Sequence, residues 1–276
     1  MRRVNPPSAV AAVILCLAGC KGSTPVTPPP VNNTPPTIES LAIGSARVEA
    51  DREVQVTASV SDAETPVGQL TYTWSASPSS GTFTGSGATA MWRPPKGQTS
   101  PQQYTVTLTV TESYTSAGQA RQNVVSRNAT VLYHDSPAET TALAAQFLTD
   151  YGTYSTTPEY CVRNFSNNCR GKEEERQQIA DDRAEVFIFS AAFKGTPAVF
   201  LNATLTGGSV EGPCEFVDMD RFGPDANKKR SVNGTCVLTT VYENGRWYLC
   251  ESFFRPPYET IYLNLRHRHR FRLPAD

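Results

Sequence analysis

Between residues 37 and 134 apolar and polar positions alternate with a period of two. Val54, Val56, Ala58 and Val60 fall on one side of an extended chain, and Gln55, Thr57, Ser59 and Ser61 on the other. The same period recurs in Leu70-Thr71-Tyr72-Thr73-Trp74 and in Tyr104-Thr105-Val106-Thr107-Leu108-Thr109-Val110. Gly, Pro and Ser separate these segments, so they predict half-buried strands of an all-β sandwich. Trp74 is its expected core aromatic, standing in for an inter-sheet disulfide that this cysteine-free stretch cannot form.

At Ser136 the period changes. Ser136 with Glu139 three residues on reads as a capping box, and Pro137 suits the first helical position. Leu143, Phe147 and Tyr151, flanked by Ala144 and Leu148, make one apolar helical stripe that stops at Gly152. A second helix is expected over 172–182, with Lys172-Glu173-Glu174-Glu175-Arg176 as a solvated, ion-paired face. Strands are expected over 184–193, 198–205, 212–218, 231–242 and 246–254, the last two joined by the type I′ turn Asn244-Gly245. Helices first and strands after predict a second, α+β domain over 135–257, a cone of helices packed on a curved antiparallel sheet.

The N-terminus carries an address. Arg2 and Arg3 precede an apolar run over 9–18 that is too short to span a bilayer and reads as the core of a signal peptide, residues 1–19. Leu17-Ala18-Gly19-Cys20 resembles the lipobox of bacterial lipoproteins. That resemblance implies cleavage before Cys20 and acylation of its thiol, with several chains giving durable attachment to a membrane. Lys21 in the next position resembles lipoproteins sorted to the outer membrane, so the expected place is the bacterial cell envelope, lipid-anchored at the outer membrane. An ordinary secretory signal with an incidental cysteine is the alternative. Residues 20–36 continue as a Pro- and Thr-rich spacer that cannot form a core.

Ser61-Asp62-Ala63-Glu64, the strand ending at Trp74, and Tyr104 through Glu112 resemble a PKD-type (polycystic-kidney-disease) immunoglobulin-like domain over 37–134. Some members of that family bind calcium through acidic turns, which makes Asp62 and Glu64 the possible calcium turn here. Two carboxylates fall well short of the six or more oxygens calcium takes, and a solvated turn on a spacer module is the favoured reading. The stretch Gly171-Lys172-Glu173 through Arg183, together with Gly234-Thr235-Cys236 through Cys250, resembles the nuclear-transport-factor-2-like (cystatin-like) fold. That resemblance implies a pocket between helices and sheet, which some relatives use for isomerase or dehydratase chemistry.

Composition narrows the function. Of 25 basic side chains, Arg2 and Arg3 leave with the signal; 23 then face 26 acidic ones, a net of −3 that gives no case for nucleic acid. The chain has three histidines: His134 at the domain junction, and His267 and His269 near the C-terminus. Ser-His-Asp chemistry inside the cone is therefore not expected. Asp181 or Asp182 beside the pocket could act as a desolvated base; the alternative is that both face water or pair with Arg176 or Arg183. No catalytic residue, metal or cofactor is assigned, and the protein is read as a non-enzyme.

Cys16 leaves with the signal and Cys20 takes lipid, which leaves Cys161, Cys169, Cys214, Cys236 and Cys250. In an exported protein these are disulfide candidates before they are metal ligands, and no pair has CxxC spacing. With Asn244-Gly245 as the turn, Tyr242 lies opposite Trp247 and Thr239 opposite Cys250. Cys236 and Cys250 then point to opposite faces and cannot bond. Cys214–Cys236 is the expected inter-strand bridge and Cys161–Cys169 a short loop closure, with Cys250 left over.

Arg266, Arg268, Arg270 and Arg272 alternate with His267, His269 and Phe271 in the basic tail, 258–276. They are candidates for gripping lipid phosphate or another polyanion, against the alternative of a loosely placed terminus. The expected function is a binding or scaffolding module for an envelope protein, glycan or other envelope component, with the membrane held through the lipid. A small-ligand receptor or isomerase-like enzyme in the cone is the runner-up. A scaffold predicts a cone plugged by its own aromatics, with Phe187, Phe189, Trp247 and Phe253 as the expected plug. Replacing the acylated thiol tests the address: Cys20→Ala is expected to abolish incorporation of labelled palmitate and release the chain from the membrane fraction, whereas unchanged fractionation would remove the lipid anchor.

Overall fold

The computed structural model describes residues 32–256. The N-terminal part is β1 (Thr37–Ile43), β2 (Arg47–Glu49), β3 (Val54–Ser61), β4 (Thr71–Ser77), β5 (Thr82–Ser86), β6 (Thr89–Arg93), β7 (Gln102–Ser116) and β8 (Gln119–His134). They form two four-stranded sheets, β1-β3-β6-β5 and β2-β8-β7-β4. All pairings are antiparallel except β2 with β8. Alternation is the reason for the layering: Tyr104, Val106, Leu108 and Val110 of β7 are all fully buried, while the threonines between them face outward.

The buried tryptophan is Trp92, not the expected Trp74. Trp92 lies on β6 between β3 and β5, has no exposed surface and donates its indole N–H to the Ser80 carbonyl at 2.9 Å. Trp74 is on β4 at the edge of its sheet and stays half-buried. Both belong to one aromatic file, Trp74–Phe83–Trp92–Tyr104–Tyr133, with ring centroids 5.4–6.3 Å apart.

The C-terminal part begins with α1 (Ser136–Gly152), α2 (Pro158–Cys161) and α3 (Gly171–Glu185). β9 (Val186–Phe193), β10 (Ala198–Leu201), β11 (Gly207–Asp220), β12 (Lys229–Glu243) and β13 (Arg246–Arg255) follow. β10 and β9 lie end to end along one edge of β11, and β12 and β13 continue the antiparallel sheet on the other. α1 packs its Ala144–Phe147–Leu148–Tyr151 stripe onto this sheet. A Cβ at Gly152 would collide with the backbone of Ser190 and Ala191, so the helix ends in contact with β9.

The capping box is not made. Asp135 is the N-cap and accepts the Ala138 N–H, while the side chains of Ser136 and Glu139 turn away into the domain junction. The strand expected over 198–205 stops at Leu201, because Asn202 Oδ1 accepts the Thr206 N–H and bends the chain.

Tyr242 does pair with Trp247, but a bulge then intervenes. Thr239 pairs with Glu251 and Thr240 with Leu249, which leaves Cys250 without a partner in β12. The segment before α3 runs beside it: Leu249 N–H donates to Asn164 and Ser166 N–H to Leu249. Cys169 is thereby carried to Cys250, and these two form a disulfide. The expected Cys161–Cys169 bridge is thus replaced, because the bulge frees the very residue that strict pairing would have turned away. Cys214–Cys236 is the second bridge, a diagonal pair on one face of β11 and β12. Among the described residues Cys161 is the free thiol, buried, and burial pushes its pKa up against the opposing influence of Arg183.

The Cys169–Cys250 bond staples the helical layer to the last strand across 81 residues. At Gly171 a Cβ would meet the Cys250 carbonyl, so α3 starts directly against that strand. Chain entropy gives such a closure about 4 kcal/mol. Urea unfolding of the Cys169→Ser/Cys250→Ser double variant is expected to show a loss of that order, against a change below about 1.5 kcal/mol for Cys161→Ser; equal losses would deny the staple its role.

Candidate functional site

Among the described residues, places that hold polar side chains away from bulk water include the inside of the cone, the junction between the two parts, and the acidic turn after β3. The cone interior is filled by the chain itself. Phe147, Tyr151, Phe165, Phe216 and Phe254 meet at centroid distances of 5.1–6.2 Å, and each is no more than 7% exposed. The expected plug residues lie elsewhere. Phe187 and Phe189 face outward beneath Arg221 and Lys229, and Trp247 is buried at the junction. Phe253 is half-buried opposite Val237. Counting two residues per period through β9 and β13 gives the wrong face once each strand carries a bulge.

Beside the aromatics runs a row of polar groups on the inward side of α3. The Tyr151 hydroxyl donates to Asp182 at 2.7 Å, and Gln178 donates to the other Asp182 oxygen at 3.0 Å. One turn earlier Glu175 accepts the Ser252 hydroxyl at 2.6 Å. Burial, aided by the charge of Asp182, lifts the Glu175 carboxyl to about 7 against the pull of the Ser252 bond. Asp181 is exposed and bonded by Gln177. A shallow depression of about 280 Å³ lies over Gln178, Asp181, Asp182, Ala184 and Glu185.

The junction is assembled from both parts. Arg47 of β2 donates to Glu49, to the Leu205 carbonyl at 3.0 Å and to Ser136 Oγ at 2.7 Å. Its guanidinium lies 3.8 Å from the Tyr242 ring centroid and 5.6 Å from that of Trp247. Glu49 accepts both the N–H and the hydroxyl of Ser136, at 3.2 and 2.9 Å, and the Trp247 indole also donates to Ser136 Oγ. Beside this group His134, fully buried, bonds Glu139 through Nδ1 at 2.8 Å and the Tyr242 hydroxyl through Nε2 at 3.0 Å. Glu139 also accepts the Ser100 hydroxyl. The sequence singles out His134, Ser136, Glu139, Tyr242 and Trp247 one by one but not Arg47 or Glu49, since Arg47 and Trp247 stand two hundred residues apart. The available signal is a pair of charges on so short a strand, followed by Tyr242 and Trp247 facing each other across the hairpin.

At the acidic turn, Asp62 Oδ1 accepts the N–H groups of Glu64 and Thr65 at 2.9 and 2.6 Å, and Glu64 accepts the Thr34 hydroxyl at 2.7 Å. Neighbouring Glu112, fully buried, is bonded by Asn33, Thr65 and Asn123. Among the described residues no three His, Cys, Asp or Glu gather closely enough to hold a metal ion, and no helix is long and apolar enough to cross a membrane. Cys20 and the arginines 266, 268, 270 and 272 lie outside the described residues.

No family model and no curated protein matches the chain. Solved structures with a similar course include a nuclear transport factor 2 (NTF2-like) superfamily protein from Salmonella enterica, 12% identical, covering 44% of this chain and 91% of its own at a TM-score of 0.37. A protein from Xanthomonas campestris described as a calcium/calmodulin dependent protein kinase II association domain is 14% identical, covering 43% and 87% at 0.33. The intermembrane space region of the chloroplast protein ARC6 is 12% identical, covering 44% and 92% at 0.28.

The raised Glu175 carboxyl has a pH signature. The folded state holds this proton more tightly than the unfolded chain, so the group costs nothing below about pH 4.5 and destabilises as pH rises through 7. Glu175→Gln is expected to gain on the wild type by up to about 3 kcal/mol between pH 5 and 8 in urea unfolding; parallel pH profiles would mean that Glu175 is not desolvated.

Proposed function

We propose that this chain is a lipid-anchored envelope protein in which a PKD-type sandwich and a nuclear-transport-factor-2-like cone act as one rigid binding or scaffolding body. The supporting observation is the junction. Eight side chains from both parts meet there in two adjoining sets of hydrogen bonds, joined by the Arg47–Tyr242 ring contact, and β8 runs into α1 with only Asp135 between them. Such a joint holds the cone at a fixed angle to the sandwich, which suits presentation of a surface to a protein or glycan partner. The aromatic filling of the cone supports surface binding over enclosure of a ligand.

One observation favours a second reading, a small-ligand or isomerase-like site. Glu175 and Asp182 place a raised carboxyl and a tyrosine-bonded carboxylate together inside the cone wall. Opening that site requires the aromatics to part, and the scaffolding reading needs no such movement.

Arg47→Ala tests the rigid body. It leaves Glu49 buried without its cation and is expected to cost about 3–5 kcal/mol. Small-angle scattering should show a larger maximum dimension if the domains then part. Cross-linking in the protein's own cells is expected to capture a discrete partner with the full chain, less of it with Arg47→Ala, and none with a chain ending at Ser136. No partner with any form would sink the scaffolding reading, and full capture by Arg47→Ala would show that rigidity is not what binding needs.

A further inference from the structure

The hairpin of β7 and β8 runs on past the rest of its sheet. β4 ends its pairing at Thr71 with Thr111, and β2 joins β8 only at Leu132, Tyr133 and His134. β7 and β8 stay paired as far as Ser116 with Gln119, closed by a two-residue turn in which Ala117 and Gly118 have φ of 50° and 75°. Residues 113–122 therefore form a two-stranded ribbon with, among the described residues, no third strand paired to either side. The ribbon projects about 17 Å beyond the sandwich.

The N-terminal end of the fold is tied to the base of this ribbon. The Asn33 side chain donates to Glu112 at 2.7 Å, and Asn123, from the facing strand, donates to the same oxygen at 3.0 Å. Thr34 donates to Glu64, and Pro36 is buried. Only residues 21–32 then separate an acylated Cys20 from the fold, a reach of at most about 45 Å. Gln102, at the other end of β7, pairs with Tyr133 beside the junction. From there to Glu112 the strand covers about 33 Å. Tether and ribbon thus share the end of the sandwich that lies away from the cone.

From Ser113 to Val131 the chain holds no acidic residue, and it holds two arginines, Arg121 and Arg127. Arg121 pairs directly with Tyr114 across the ribbon, and Val124 at its base is 59% exposed. Residues 113–122 are exposed save for Tyr114 and Ser116, which are half-buried. The carboxylates of that end, Asp62, Glu64 and Glu112, lie at the base of the ribbon, and each accepts hydrogen bonds from the protein. A tyrosine beside an arginine suits the boundary between lipid phosphate and acyl chain. One such pair holds a free protein weakly, but on a short tether the contact is intramolecular and needs little affinity.

We propose that the ribbon 113–122 is the foot on which this protein meets a phospholipid surface, a reading that rests on the lipid-anchored function proposed above. Tyr114 and Arg121 sit against the headgroups, and the sandwich stands with its junction and the cone turned away from the bilayer. The cone, and whatever it binds, is then held clear of the lipid by the length of the sandwich.

Quenching by brominated phosphatidylcholine is the test. The chain 21–276, carrying Cys161→Ser and an N-terminal hexahistidine, is held on vesicles of phosphatidylcholine, phosphatidylglycerol and nickel-chelating lipid, so the measurement does not depend on acylation of Cys20. A fluorophore on Gln119→Cys is expected to be quenched, and one on Lys228→Cys, at the turn between β11 and β12, to stay bright. Arg121→Glu with Tyr114→Ser should lower the contact equilibrium about fivefold, with the near-ultraviolet circular dichroism of the folded chain retained. Equal quenching at the two positions overturns the proposal, because the body then has no fixed orientation, and so does quenching at neither. Shielding of the Gln119 label that grows with protein concentration and needs no vesicles also overturns it, and assigns the free edges of the ribbon to a second copy. Quenching at position 119 in a protein whose Cys20 takes no palmitate in cells upholds the foot and removes only the native anchor.

Discussion

The architecture rests on one buried carboxylate. Glu49 ends a three-residue strand at the rim of the sandwich, 8% exposed, where an unpaired charge is heavily penalised. Its two oxygens are met by Arg47 and by both donors of Ser136, the first residue of the first helix. Satisfying that charge therefore requires the C-terminal part to be present and correctly turned. Arg47 extends the requirement to Leu205, Tyr242 and Trp247, so a helix start, a loop and the β12–β13 hairpin are all fixed to one strand of the N-terminal part.

This dependence explains several local departures from simple rules. Ser136 and Glu139 have the spacing of a capping box, yet their side chains answer to Glu49 and His134, and Asp135 caps the helix instead. Tyr242 faces the junction because pairing from the Asn244-Gly245 turn puts it opposite Trp247. Beyond Thr240 the bulge resets the register, so the near end of the hairpin serves the junction and the far end serves the cone core through Phe254. One strand pair can meet both demands because a bulge lets its two halves obey different registers.

What was legible in the sequence follows the range of the interactions. The alternation in β3 and β7, the stripe Phe147–Tyr151 and the pairing of Tyr242 with Trp247 are set within a few residues, and the pattern displays them. The switch from sandwich texture to helix at Ser136 is equally local. Trp92 over Trp74, Cys250 as a bonded cysteine and the Arg47 cluster depend on strand order, on bulges and on contacts across the whole chain. A period of two cannot announce the extra residue that frees Cys250, and it says nothing of the strand order and long-range contacts behind the other two. For the candidate sites the division is the same: His134 and Asp182 stand out by residue type, whereas Glu175 hides within a run of charges whose other members face water.

The two disulfides have a topological consequence. Cys214–Cys236 lies wholly inside the interval closed by Cys169–Cys250, so the sheet is a ring within a ring. A single cleavage of the backbone anywhere between Cys169 and Cys250 leaves both pieces covalently joined. A protease reaching the turns of the sheet would then nick the domain and not shed it, and the damaged molecule would stay whole in mass until a reductant arrived.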